Sequence, residues 1–337
     1  MKRQFLQTMT ILVFGLIGIM FTSCGGDDDN NGGNGASTSQ GEEKNTPDGN
    51  VGIGSFTIND SGTKVAFAPG NLQATTTNGG ATWTWAFAKN QWDYIGGRSY
   101  NGIEDQTGNN FINGNNGTLS TNSGTVDLFG WVGASTILTS EGAIHGICSY
   151  TNSEYNNIYG TSKTEGLKSD WGNVTITNGG GHTWRTLTSD EWTYIFNSRK
   201  GSTVEGTTKK RYTMTRINSD NDNGGLYGII LFPDGMTINI KSNGGYTTEQ
   251  WTYLASLGCV FLPAAGSRYK NEVNNAGSEG RYWSSTPART TSGADLCVAY
   301  NVLFHESYGL YISSIVDPAI EFGRMHGISV RLVREIK

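Results

Sequence analysis

The chain has 337 residues, a formal net charge of −5 and a sequence pI of about 5.4. This acidic balance argues against a nucleic-acid partner, because proteins that bind nucleic acids carry a basic surface that holds phosphates. Aromatic residues make up 11% of the chain and charged residues only 16%, the reverse of the balance in disordered proteins. The 48 glycines interrupt the sequence too often for long helices. Composition therefore predicts a folded, strand-rich protein with many loops.

The N-terminus has the features of an export signal followed by a lipidation site. Two basic residues precede an apolar stretch, 11–21, which is too short to span a bilayer but long enough for a signal-peptide core. Residues 21–25 then resemble the bacterial lipoprotein signal, in which a small residue precedes a cysteine that becomes the lipidated first residue. We expect removal of residues 1–23 and lipidation of Cys24. The alternative is an ordinary secretory signal with a chance cysteine.

The segment 24–50 is predicted to be a flexible, acidic tether rich in Gly and Asn. Residues 25–50 have no aromatic and no large aliphatic side chain, so this part of the chain cannot bury enough apolar area to offset the entropy of ordering. The acidic run 27–29 resembles the surface-export signal of Bacteroidetes lipoproteins, and its alternative is a solubilising linker. We therefore expect a protein that is lipid-anchored in the outer membrane and exposed at the cell surface.

From residue 51 onward the sequence predicts one α+β domain, 51–337. Two apolar-alternating runs, 56–58 and 64–67, flank a turn cluster and predict a hairpin. Residues 83–87 alternate as a half-buried strand does, whereas residues 96–125 predict long loops. Apolar sequence restarts at 127–131, and further strands are predicted at 226–232, 236–240, 259–262, 281–285, 294–304 and 328–333. The run 236–240 follows a Pro-Asp-Gly turn, and its alternation of apolar and polar residues predicts a strand that runs back.

Two short helices are marked by capping boxes. In each box, a threonine and the Glu or Gln three residues later satisfy the first free N–H groups of the helix. The boxes are Thr188 with Glu191 and Thr247 with Gln250, and a glycine lies just beyond the predicted end of each helix.

Four motifs follow one another in the C-terminal half of the chain. They are WRTLTSDEW at 184–192, LPAAG at 262–266, GRYWSS at 280–285 and GISVRLV at 327–333. Together they resemble the Fibrobacter succinogenes major paralogous domain family. That family belongs with the C-type-lectin-like folds, beside the sulfatase-modifying and retroelement-diversified variable proteins. The stretch 64–131 resembles the N-terminal half of Bacteroidetes surface proteins of the same kind.

The resemblance implies a C-type-lectin-like fold with two short helices, many short antiparallel strands and long loops, and a family core at about 180–337. Independently of the family, three tryptophans in helix or strand contexts are expected in the core. Two arginines lie in otherwise apolar strands, and we expect them to pair with buried carbonyls or with Glu191. These structural residues are Trp184, Trp192, Trp283, Arg185 and Arg331.

Lectin-like folds generally bind through loops between the equivalent of Trp283 and the closing strand. The resemblance therefore implies a ligand-binding region rich in Tyr and Asn, which combine contact area with adaptable hydrogen bonding. Its candidate residues are Tyr300, Asn301, Phe304, His305, Tyr308 and Tyr311. The alternative is that alternate members of this set fill the inner face of a sheet.

No catalytic or cofactor motif is recognisable. The related sulfatase-modifying enzymes use a closely spaced cysteine pair, whereas Cys259 and Cys297 are far apart in apolar strands; we expect buried small side chains or one structural disulfide. The four histidines lack metal-ligand spacing, and the calcium-loop-like stretch 218–224 lacks the required glycine and glutamate. We expect no metal and no cofactor.

Three functions remain open at this point. The favoured one is a non-catalytic, adhesin-like surface lipoprotein that binds a glycan or a protein. The second is an enzyme of the sulfatase-modifying branch or one acting on polysaccharide, and the third is a structural component of a surface complex. The membrane contact is expected through the N-terminal lipid alone.

Overall fold

A computed structural model describes residues 52–77, 82–95, 112–113, 118–119, 124–131, 170–218, 225–269, 272–288, 298–306, 315–324 and 326–337. All of these residues lie in one compact unit of the chain, 42–337. The predicted signal peptide, Cys24 and the predicted tether lie outside the described residues, as do Cys297 and most of the calcium-loop-like stretch.

The described residues form short strands and two nine-residue helices. The helices are α1 (Ser189–Asn197) and α2 (Thr248–Ser256), with a 3₁₀ turn at Trp171–Asn173. The strands are β1 (Phe56–Thr57), β2 (Lys64–Phe67), β3 (Leu72–Thr76), β4 (Thr84–Phe87), β5 (Ile112–Asn113), β6 (Thr118–Leu119), β7 (Gly124–Val126), β8 (Ser202–Val204), β9 (Thr207–Lys210), β10 (Tyr212–Asn218), β11 (Leu226–Leu231), β12 (Thr237–Ile238), β13 (Tyr246–Thr247), β14 (Val260–Pro263), β15 (Ser267–Tyr269), β16 (Glu272–Asn274), β17 (Glu279–Ala288), β18 (Val298–His305), β19 (Ile315–Gly323) and β20 (Val333–Ile336).

The strands are arranged in several small, mainly antiparallel sheets, which confirms the α+β class. The larger sheets have the strand orders β13-β10-β11-β14, β17-β18-β19, β1-β2-β20, β4-β3-β7 and β12-β8-β9. The pairs β15-β16 and β5-β6 complete the set among the described residues. Because β17, β18 and β19 are consecutive and antiparallel, this sheet is a meander, and its strand β18 contains four of the predicted ligand-binding residues, Tyr300, Asn301, Phe304 and His305.

The predicted hairpin at the start of the domain is confirmed. Phe56 pairs with Val65, and the Asn59 side chain accepts a hydrogen bond from the Thr63 amide across the turn. β2 pairs on its other edge with β20, with Lys64 opposite Ile336. The first and last strands of the domain therefore share one sheet.

Both capping boxes are confirmed. The Thr188 hydroxyl accepts from the Glu191 amide, and the Glu191 carboxylate accepts from the Thr188 amide. Thr247 and Gln250 make the same reciprocal pair at α2. Each helix buries one face, and the buried face of α1 includes Trp192.

The strand that follows the Pro-Asp-Gly turn does not return along β11. β12 instead pairs in parallel with β8, with Thr237 opposite Thr203. The physical reason is that β10 and β14 occupy both edges of β11, so a returning strand has no free backbone groups there. The predicted strand at 328–333 is also shorter than expected, because only Val333 belongs to β20 while Ile328 and Ser329 form isolated bridges.

The interior of the described unit contains three apolar clusters. The first stacks aromatic rings between β3, β4 and the following segments, with Trp85 and Phe129 at 5.5 Å and Phe129 and Trp171 at 4.9 Å between ring centroids. The second lies between α1 and the meander, and the third lies under α2. The meander contributes to the first two clusters, so its position is fixed from both faces.

Candidate functional site

The register of the meander determines which side chains share a face. Arg281 on β17 lies opposite Leu303 on β18, and Trp283 lies opposite Asn301. Residues directly opposite each other in an antiparallel pair point to the same side, so these four side chains share one face. The register is interrupted between Trp283 and Pro287 on β17 and between Asp317 and Ile320 on β19, where these strands have extra residues relative to β18.

Two of the predicted ligand-binding residues are core residues instead. Asn301 and Phe304 lie within β18 and both have 0% exposure. The Asn301 amide donates to the Ile320 carbonyl at 2.8 Å, and the Phe304 ring packs in the second cluster. A Cβ on Gly280 would lie 2.0 Å from the Phe304 ring, so the glycine is required for the ring to fit. The prediction that these two residues are displayed on a loop is wrong.

Tyr300 and His305 are partly exposed but also belong to β18. Tyr300 pairs with the exposed Glu321 of β19, and His305 pairs with Glu279 of β17. The His305 Nδ1 lies 3.0 Å from the Glu306 carbonyl. Tyr308 and Tyr311 lie outside the described residues. The predicted ligand-binding region therefore begins on a strand. Its buried members, Asn301 and Phe304, pack inside, which agrees with the alternative that part of this set fills the sheet.

A cluster of charged and aromatic side chains is formed by β17, β19 and His326, which follows β19. The Arg281 guanidinium carbon is 4.0 Å from the centroid of the Phe322 ring, and the His326 ring centroid is 4.4 Å from the same ring. The Arg281 Nε donates to Glu279 Oε1 at 2.5 Å. We call Glu279, Arg281, Phe322 and His326 the Arg281 cluster. Cation–π contact and the ion pair hold the guanidinium in a fixed plane.

Part of the Arg281 guanidinium is left for other contacts. Its Nη1 makes only a long hydrogen bond of 3.5 Å to Asn301, and its Nη2 has no hydrogen-bond partner among the described residues. The Arg281 side chain is 13% exposed. Its Nη2 is not fully buried. A rigid donor edge therefore reaches solvent at this position.

His326 is held in its neutral form by its surroundings. Burial lowers its pKa most, and the nearby Arg281 and Arg268 guanidiniums lower it further. The hydrogen bond with the Gly323 carbonyl opposes this change but does not outweigh it. At neutral pH the imidazole can both accept and donate hydrogen bonds, while the Arg281 cation of the cluster is paired with the Glu279 carboxylate.

The motif at 184–192 forms a structural clamp. Arg185 donates from Nη1 and Nη2 to the two Glu191 oxygens, each at 2.8 Å, and this pairing raises the pKa of Arg185. The Arg185 backbone makes reciprocal 2.9 Å hydrogen bonds with Val333. Trp192 donates from Nε1 to the Trp283 carbonyl at 3.4 Å, and both indoles have 0% exposure. This motif therefore connects α1, β17 and the closing strand, which is a structural role.

Arg331 pairs with buried carbonyls, one of the two environments that the sequence analysis expected. It donates to the carbonyls of Ala68, Gln91 and Phe261 and to Asn71 Oδ1, at distances between 2.8 and 3.0 Å. Burial lowers the pKa of Arg331 to about 10, so the guanidinium remains charged at neutral pH. Arg331 is enclosed and does not face a ligand.

A partly open pocket of about 50 Å³ is lined by residues outside the meander. Its walls come from the segment 52–54, the end of β2, the turn 178–182 and β20, which contributes Arg334. Trp184 is 8% exposed in this pocket, and the His182 ring meets it edge-on at 6.0 Å. Gly54 is required in the wall, since a Cβ there would lie 2.1 Å from the Gly258 carbonyl oxygen.

Cys259 lines the same pocket but lacks the properties of a nucleophile. Its thiol is free, has 0% exposure and has a pKa raised by burial to about 12. Thiol chemistry requires the thiolate, which is scarce at neutral pH for such a group. Within the described residues no group of three or more His, Cys, Asp or Glu side chains could hold a metal ion. Over the same residues, no helix has the length and apolar character needed to cross a membrane.

Comparisons of the chain with protein-family models, curated proteins and solved structures found no match. The family resemblance therefore remains an inference from the sequence motifs.

Phe322, His326 and Arg334 were not predicted from the sequence as candidate binding residues. Arg281 was within a recognised motif, but its contact with Phe322 depends on the register across two strands and a bulge. The one local signal was the alternation of Glu279 and Arg281 with Gly280 and Tyr282, which is typical of a strand with one polar face.

Proposed function

We propose that this protein is a lipid-anchored binding module of the cell surface, which holds a glycan or protein ligand without catalysing a reaction. The observation that carries the proposal is the Arg281 cluster. Its guanidinium is fixed by Glu279 and Phe322, yet its Nη2 has no hydrogen-bond partner among the described residues. Preorganised cationic and aromatic groups are suited to recognition, because little conformational entropy is lost on binding.

We further propose that residues 51–337 have a C-type-lectin-like fold and belong with the Fibrobacter succinogenes major paralogous domain family. The four ordered motifs support this assignment. So do the two short capped helices, the many short antiparallel strands and the pairing of β20 with β2. Ligand contact then involves the meander together with the segments around Tyr308 and Tyr311.

The anchor and the location are also part of the proposal. The sequence at 21–25 supports lipidation of Cys24, and the acidic run 27–29 supports export to the cell surface. The properties of Cys259 do not favour the enzyme of the sulfatase-modifying branch, since this thiol is buried with a raised pKa. Intact-cell protease treatment should remove an outward-facing domain, and mass spectrometry of the N-terminus should detect acyl groups on Cys24.

The binding proposal is tested with the full chain in neutral detergent on glycan and protein arrays. We expect the natural chain to bind a defined subset of ligands and Arg281→Gln to weaken that binding at least about tenfold, because a charge-assisted hydrogen bond is lost. Lys200→Gln, which removes one exposed positive charge outside the meander, is the matched control and should leave binding unchanged. Equal binding by Arg281→Gln, with an unchanged melting temperature, contradicts the proposal.

A further inference from the structure

The pocket beside Trp184 has an electrostatic character of its own. Among the described residues that line it, the titratable side chains are Arg334, His182 and Cys259, and none is a carboxylate. Because burial holds the Cys259 thiol in its neutral form, the fixed charge of the wall is that of Arg334. A concave site lined by one sign of charge attracts ligands of the opposite sign.

Arg334 is free to meet such a ligand. It lies on β20 opposite Ala66 of β2, and its side chain makes no hydrogen bond or ion pair with any described residue. Its neighbour Glu335 lies 3.6 Å from Arg185. Successive strand residues point to opposite faces, so Glu335 and the pocket side of Arg334 are separated by the strand. Among the described residues that line the pocket, no acidic side chain therefore neutralises the charge of Arg334.

The size of the pocket limits what can enter it. About 50 Å³ accommodates roughly three to five water molecules, which is the space of a carboxylate with its carbon and one or two further atoms. A whole sugar ring or an aromatic ring does not fit. The apolar part of the wall, Phe67, Trp184 and Val260, suits the carbon atom that bears the carboxylate.

We propose that the pocket between the segment 52–54 and Trp184 binds the carboxylate group of a small acidic ligand, with Arg334 as the charged partner. The carboxylate pairs with the Arg334 guanidinium inside the pocket, and the remainder of the ligand stays outside. This site is separate from the Arg281 cluster and does not depend on the function proposed for that cluster.

The test is a ligand-observed NMR titration of the full chain in neutral detergent at fixed ionic strength. The probes are acetate with its neutral counterpart acetamide, and glucuronate with its neutral counterpart glucose. We expect both carboxylates to bind with Kd values of about millimolar and both neutral probes to show no saturable binding. Arg334→Gln should weaken carboxylate binding at least about tenfold, and Arg334→Lys should weaken it less, because the charge is kept but the planar fork is lost.

The control is Lys64→Gln, which removes an exposed cation from the neighbouring strand without touching the pocket wall. It should bind as the natural chain does. Equal affinity for acetate and acetamide overturns the proposal. So does equal weakening by Arg334→Gln and Lys64→Gln, because binding then follows the net charge alone. A melting temperature is measured for each variant, and if Arg334→Gln is unfolded the comparison rests on Arg334→Lys. Acetate binding without glucuronate binding would support a simple carboxylate over an acidic sugar.

Discussion

At the scale of single residues, Arg331 has buried surroundings that leave little room for substitution. Its guanidinium has 0% exposure and donates to carbonyls of three separate segments as well as to Asn71. The acceptors lie between 70 and 263 residues away in sequence. The cation is therefore held by backbone dipoles and connects distant parts of the chain, which stabilises it in spite of the cost of desolvation.

Replacing Arg331 with methionine keeps the length of the side chain but removes every donor. Each buried acceptor left without a partner costs about 1–3 kcal/mol, so we expect Arg331→Met to lower the free energy of unfolding by more than about 3 kcal/mol. Urea unfolding followed by tryptophan fluorescence measures the loss. The control Lys200→Met is exposed and should change stability by less than about 0.5 kcal/mol. A loss below about 1 kcal/mol for Arg331→Met would show that the network contributes little.

At the scale of elements, the N-terminus of α1 combines a capping box with an ion pair. One oxygen of Glu191 accepts hydrogen bonds from the Thr188 amide and from Arg185 Nη1, each at 2.8 Å. Arg185 in turn bridges to Val333 of β20 through its backbone. The first turn of α1 is therefore connected to the closing strand, whereas the similar box of α2 is exposed and uses the neutral Gln250.

Two substitutions separate the charge of Glu191 from its capping role. Glu191→Ala loses both and should destabilise the protein by about 1–3 kcal/mol, while Glu191→Gln keeps an acceptor for the Thr188 amide and should lose less. Gln250→Ala in the exposed box is the control, expected to cost about 0.5–1 kcal/mol. Thermal and urea unfolding check the order. If the Glu191→Ala and Gln250→Ala losses are equal, the ion pair with Arg185 has no measurable effect.

The features that could be predicted from the sequence are those with local signals. Capping boxes and the first hairpin depend on residues within a few positions of one another, and both are confirmed. The partner of β12, the burial of Asn301 and the contact between Arg281 and Phe322 depend on edge occupancy, bulges and cross-strand register. These properties arise only when distant strands pair, so no local pattern specifies them.

At the scale of the whole domain, Asp234 connects the first strand to the centre of the described unit. Its carboxylate accepts from the Thr57 amide of β1 at 2.7 Å, from the Gly201 amide at 3.0 Å and from Arg199 Nη1 at 2.9 Å. Arg199 has 0% side-chain exposure and also donates to the carbonyls of Ile195 and Phe232. Removal of one partner leaves the other as a buried charge without compensation.

These contacts predict how the stability of the domain depends on pH. Burial by itself would raise the pKa of Asp234, but the Thr57 amide and the Arg199 guanidinium outweigh burial and lower it. The unfolded chain therefore binds a proton at Asp234 more readily than the folded one does. The stabilisation by Asp234 is fully present above the unfolded pKa of about 4, and it is lost as pH falls through the lower folded pKa.

The variant Asp234→Asn isolates this contribution, because it keeps the shape of the side chain without the charge. We expect it to be about 3 kcal/mol less stable than the natural chain at pH 7. The difference should stay constant down to about pH 5 and shrink below about pH 4, since protonation then removes the same charge from the natural chain. Urea unfolding at a series of pH values measures both curves, with the exposed Glu321→Gln as control. A difference that stays constant to pH 3 would mean that the ion pair with Arg199 is not what Asp234 contributes to stability.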